Sequence, residues 1–70
     1  MYIVETYFRE PSTGVFHWIP IGCIQRKYRS RVKADADFDA LVSYGWDRVV
    51  IYKSVKGSAL TEIRRGGRLS

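Results

Sequence analysis

Cys23 is the only cysteine among 70 residues, so no disulfide can close within the chain and one apolar core must hold the fold. A chain of this length buries only about 60% of the surface its unfolded form exposes, and its core supplies about 3–5 kcal/mol of net stability. Most of the large apolar volume lies in Phe8, Phe16, Trp18, Phe38, Trp46 and Tyr52. These side chains are therefore expected to build the core. The length allows one domain, read as residues 1–64, followed by a polar, basic, mobile tail over residues 65–70.

The periodicities define a short series of elements. Tyr2 to Arg9 (YIVETYFR) alternates, with Tyr2, Val4, Thr6 and Phe8 on one face and Ile3, Glu5, Tyr7 and Arg9 on the other, as a half-buried strand does. Glu10 to Gly14 contains Pro11 and reads as a turn, and Val15 to Ile21 as the returning strand of a hairpin. Pro20 lacks a ladder donor, which places it at an edge, a bulge or the strand end. Ala34, Phe38, Leu41 and Val42 share one helical face. Ser30 or Asp35 is the expected N-cap, with Asp35, Asp37 and Asp39 at the positive end of the helix dipole and Gly45 just beyond the helix. Trp46 to Ser54 reads as a strand, Lys56-Gly57-Ser58 as a turn and Ala59 to Arg64 as a short last strand. The order β, β, α, β, β describes an α+β domain: two layers, one helix packed on an antiparallel sheet.

Several chemistries find no support. In extended chain His17 and Cys23 lie about 20 Å apart, beyond the reach a base needs to activate a nucleophile. Asp35, Asp37 and Asp39 resemble the opening of a calcium loop, but Ala40 stands at the glycine position and Trp46 where a bidentate Glu is required. One Cys and one His do not complete a zinc site. Isolated glycines build no phosphate-cradling loop. The chain is therefore expected to be a non-enzymatic binding protein without cofactor or metal.

Charge carries the functional expectation. The net charge is +5. Gln25 to Ala34 holds Arg26, Lys27, Arg29, Arg31 and Lys33 with no acid, directly before the aspartates. Such a stretch attracts phosphate or an acidic protein face. If it is extended, Lys27, Arg29, Arg31 and Lys33 project from one side; if it is helical, they spread around the axis. Lys53, Lys56, Arg64, Arg65 and Arg68 add a second basic lobe. Tyr28 is expected at the surface, placed to stack on a base or to fill a partner's pocket. Another arrangement puts Trp18 or Tyr7 on an open sheet face as a stacking platform.

A short chain that enters a strand just after Met1, forms a hairpin, continues through SRVKADADFDALVSYGW and ends with RVVIYKS resembles the small accessory proteins of bacteriophages and prophages. In outline it is similar to phage inhibitors of bacterial RNA polymerase and to anti-defence proteins, many of which place one helix on a short antiparallel sheet. Many of those inhibitors are acidic and mimic DNA, whereas this chain is basic. The resemblance implies a modulator or inhibitor in the bacterial cytoplasm, acting through its basic face on the acidic surface or nucleic-acid cargo of a host nucleic-acid-handling or defence protein. Direct binding to DNA or RNA phosphates is the first alternative. A self-associating protein that dimerises through strand edges is the second. No apolar run reaches the 18 or so residues that span a bilayer, so no membrane partner is expected.

Overall fold

The computed structural model describes residues 1–57 and 59–69. Its centre is the strand β1, Tyr2–Arg9, which is long enough to serve three partners. Along one edge it pairs with β4, Arg48–Lys53, with Val4 opposite Ile51 and Thr6 opposite Val49. Along its other edge two strands share its length. β2, Phe16–Trp18, takes the C-terminal half, and β3, Arg26–Tyr28, takes the N-terminal half. β5, Thr61–Gly66, lies outside β4. All pairings are antiparallel, and the helix α1, Arg31–Tyr44, covers one face of the sheet. The α+β fold with one helix on an antiparallel sheet is thus the architecture, enlarged by one strand before the helix.

That additional strand explains the shortened hairpin. The expected return strand through Ile21 ends at Trp18, because the chain leaves the ladder at Pro20 and makes one 3-10 turn at Ile21–Cys23. Thr6 fastens the departure: its hydroxyl donates to the Ile19 carbonyl at 2.6 Å and its own carbonyl accepts from Ile19 N at 2.9 Å. Three residues later the chain rejoins β1 as β3. A strand of three residues is too short to display a period of two.

Ser30 caps the helix, its side chain accepting from Lys33 N at 3.4 Å. The helix therefore starts at Arg31, and its first turn contains no acid. Asp35, Asp37 and Asp39 lie beyond the reach of the dipole, which falls off within the first turn. At the other end Gly45, with φ 108°, takes the left-handed conformation that an L-residue disfavours.

The core comprises Val4, Ala34, Phe38, Leu41, Val49 and Ile51, with Thr6 buried beside them. The expectation of an aromatic core is corrected. Phe38 alone of the large aromatics is fully enclosed, while Trp46 flanks the cluster and Phe8 and Trp18 remain half exposed. Alternation decides the outcome: β1 and β4 aim β-branched residues at the helix, and Trp18 opposite Tyr7 points away from it.

The C-terminal segment is also corrected. Arg65 and Gly66 belong to β5, and Arg68 N and Leu69 N donate to the carbonyls of Trp46 and Asp47 at 3.0 and 2.8 Å. Of the expected turn at 56–58, Lys56 and Gly57 form a turn and Ser58 lies outside the described residues, as does Ser70. Gly66 sits beneath the Phe38 ring, where an added Cβ would lie 2.6 Å from Cζ. Gly66→Ala should therefore cost about 1–3 kcal/mol by overpacking, read as a lowered midpoint in urea with an unchanged m-value.

Candidate functional site

Ser30 divides the basic stretch into a strand and a helix start, and this division determines which cations remain available. Arg26 and Tyr28 share the helix-facing side of β3 and reach one carboxylate. Arg26 Nε and Nη2 donate to the two Asp37 oxygens, each at 2.6 Å, and the Tyr28 hydroxyl donates to Oδ2 at 2.8 Å. Only 9% of the Asp37 side chain is exposed. Burial pushes the Asp37 carboxyl up, but the Arg26 and Tyr28 hydrogen bonds outweigh it and hold it below its ordinary value. The same bond to Asp37 raises the Arg26 guanidinium. Tyr28, expected as an exposed anchor, is instead packed against the core with its hydroxyl bonded to Asp37.

Other expected site residues are also paired. Arg64 lies over the Phe38 ring, 4.0 Å from its centroid, and bonds Asp35 at 2.9 Å and Asp39 at 2.8 Å. Arg31 meets Asp35 at 3.2 Å, and Arg65 meets Glu62 at 2.6 Å. Lys27, Arg29, Lys33, Lys53 and Lys56 are exposed and have no acid partner among the described residues. They occupy a strand, a link, a helix start, a strand end and a turn. The structure therefore does not bring the run together as one stripe.

The sheet face opposite the helix gathers a different set. The register places Trp18, Tyr7 and Arg48 in one row across β2, β1 and β4, with Phe16 and Arg9 in the next. Lys27, Ile3, Tyr52 and Glu62 form a further row, and Glu5, Val50 and Arg65 lie between. Ile3 and Val50 are only 6% and 1% exposed although no helix covers them. A polar lattice surrounds them: the Tyr7 hydroxyl donates to Glu5 at 2.7 Å and meets the Tyr52 hydroxyl at 3.0 Å, and Gln25 donates to Glu5 at 3.1 Å. Burial, then the bonds to Tyr52 and Glu5, raise the Tyr7 phenol far above its ordinary value. This half of the face is closed by its own side chains.

The other half is open. Trp18 is 46% exposed. Beside it the Arg48 guanidinium stacks on Phe16, 3.6 Å from the ring centroid, and its buried Nε has no hydrogen-bond partner. The side chains of Arg9 and Arg48 have no acid partner among the described residues. Two cations and an exposed indole thus share one face of the sheet. Neither arginine was a sequence candidate. The alternation of β1 had already placed Arg9 and Tyr7 together, but nothing in the sequence said which face the helix would cover.

The remaining candidates are dispersed. His17 bonds Glu10 at 2.9 Å, a contact that holds the Glu10 carboxyl below its ordinary value, and Cys23 is an exposed thiol in the 3-10 turn. Among the described residues no group of three or more His, Cys, Asp or Glu is placed to hold a metal, and no helix is long and apolar enough to cross a membrane. Comparison with protein-family models, curated proteins and solved structures finds no match.

Asp37 provides the sharpest test of how the charges are arranged. Asp37→Asn leaves Arg26 without its counter-ion, at an expected cost of about 1–3 kcal/mol in chemical denaturation. Because the folded carboxyl titrates below its unfolded value of about 3.9, its contribution is complete above that pH and is lost as pH falls through the folded value. The variant should lack this component of acid destabilisation in a stability-against-pH series.

Proposed function

We propose that this chain binds single-stranded nucleic acid on the open half of its sheet face. The observation that carries the reading is the half-exposed Trp18 beside Arg9 and Arg48, two guanidiniums without acid partners among the described residues. An exposed indole offers a surface on which an unpaired base stacks, a contact worth about 1–3 kcal/mol per base. A base inside a duplex does not present its face in this way.

The supporting electrostatics are those of backbone binding. The net charge of +5 draws phosphate from a distance, and Arg9, Arg48 and, further along the face, Lys27 supply local contacts. Phe16 holds the Arg48 guanidinium by a cation–π contact, so less side-chain freedom is lost on binding. The reading keeps the direct nucleic-acid alternative but moves its site from residues 26–33 to the face that presents Trp18.

Titration of a fluorescently labelled oligothymidylate, followed by anisotropy at several salt concentrations, tests it. Trp18→Ala should weaken binding by about 5- to 150-fold, the equivalent of one stacked base, with the salt slope unchanged. Arg48→Ala should flatten the slope by about 0.7, one phosphate contact on a single strand. Equal affinity of the Trp18→Ala variant and the parent protein would remove the proposal.

A second reading, modulation of a host protein through an acidic partner surface, is favoured by a different observation. Tyr44 is 84% exposed, and with Trp46 it borders two adjoining hollows reached by Phe8, Ile21 and Leu41. The exposed Lys27, Arg29 and Lys33 are the bases of the original stretch still available to such a partner. Capture of a discrete bacterial protein that survives nuclease and disappears when Lys27, Arg29 and Lys33 are all changed to Ala would favour this reading. Capture abolished by nuclease would favour nucleic acid.

A further inference from the structure

We propose that two copies of the chain pair through the outer edge of β5, antiparallel and about a two-fold axis between Ile63 and Arg64. The inference does not rest on nucleic-acid binding, since it concerns the protein alone. β5 is the last strand in the order β2-β1-β4-β5, and no other strand lies beyond it among the described residues. No turn, loop or cap hydrogen bond between described residues reaches residues 61–66. At the opposite margin, β2 and β3 are three residues each and are separated by Pro20 and the 3-10 turn, which interrupts any continuous ladder. β5 offers six residues in succession, with one irregularity at Ile63.

Charge and facing select the partner and the register. The pairing of β4 with β5 places Glu62 opposite Tyr52 and Arg65 opposite Val50, both on the face away from the helix. Arg64 lies opposite Ile51 and Gly66 opposite Val49 on the helix side, where Ile63 also packs against the core. The irregularity between Ile51 and Tyr52 puts Ile63 and Arg64 on the same side. Under the proposed two-fold, Glu62 of each copy faces Arg65 of the other. Ile63 faces Arg64, and Thr61 faces Gly66.

Every such pair shares a face, as cross-strand neighbours must. Within one chain Glu62 and Arg65 already bond each other at 2.6 Å while both remain partly exposed, so the exchange keeps every charge compensated. Sliding the register by two residues opposes Arg65 to Arg64 in one direction and Glu62 to Ile63 in the other, and both place the partners on different faces. The edge thus carries charges, the usual protection against pairing, in an order that is complementary to itself.

The axis stands normal to the sheet, so both helices fall on one side and both Trp18 faces on the other. Ten strands would form one continuous sheet.

Sedimentation velocity over a wide concentration range provides the test. The parent protein should show a monomer–dimer equilibrium. Glu62→Arg opposes arginine to arginine and Arg65→Glu opposes acid to acid, so each variant alone should sediment as a monomer. An equimolar mixture of the two variants should recover the dimer, because each mutant residue then meets its opposite charge. Circular dichroism confirms that the variants are folded. Amide exchange in β5 of the unaltered protein, slowing as concentration rises, reads the same edge without mutation. A parent protein that remains monomeric throughout, or variants that dimerise as the parent does, would overturn the proposal.

Discussion

The contact on which the arrangement depends is the fork between Arg26 and Asp37, with Tyr28 closing on the same carboxylate. β3 is only three residues long, and a ladder that short gives little stability by itself. Its two helix-facing side chains reach a carboxylate in α1 that is largely shielded from water. The strand is thereby tied to the helix as well as to β1. That tie holds the strand against the helix whose start the Ser30 cap sets.

The same economy governs the rest of the helix-facing charge. Arg64 crosses from β5 to Asp35 and Asp39 over the Phe38 ring, and Arg31 shares Asp35. Exposed pairs of this kind contribute little to stability singly, but they neutralise Arg31 and Arg64, two of the bases prominent in the sequence. What remains positive is determined by geometry: Lys27, Arg29, Lys33, Lys53 and Lys56, scattered over separate elements, and the two arginines that β1 and β4 carry on the uncovered face. A charge map drawn from the sequence places the binding surface at residues 26–33. The folded charge map leaves the arginines without acid partners, Arg9 and Arg48, on the sheet face away from the helix.

The parts legible in the sequence were those with a repeated signal. β1, β4 and α1 announce themselves by alternation or by a shared helical face, and Ser30 and Gly45 mark the helix ends by their chemistry. The parts that were not legible depend on long-range choices. β3 exists because β1 has a vacant half-edge, a fact written outside residues 26–28. Tyr28 looked exposed because its neighbours are basic, yet its partner lies nine positions on, in a helix. The aspartates looked like dipole partners because the helix start was not fixed, and a start at Arg31 turns them into counter-ions. Trp18 was assigned to the core on the ground that so small a domain needs every aromatic residue. The β-branched residues of two central strands and Phe38 proved sufficient.

That sufficiency bears on function. A domain with only about 3–5 kcal/mol of net stability gains by burying each large side chain, and a fully buried aromatic removes 150–250 Å² from water by general experience. Leaving nearly half of Trp18 exposed forgoes about 2–3 kcal/mol at the usual area coefficient, a large share of the total. Tyr7, one strand away on the same face, follows the opposite course, its hydroxyl engaged by Glu5 and Tyr52 within a lattice that shields Ile3 and Val50. The contrast marks off a boundary within a single face. On one side the protein completes its own surface with hydrogen bonds. On the other, an indole lies beside guanidiniums that find no acid partner among the described residues, so neither burial nor charge compensation is completed from within the chain. On the proposed reading, a nucleotide supplies both, since it brings an apolar ring face and a phosphate together in one unit.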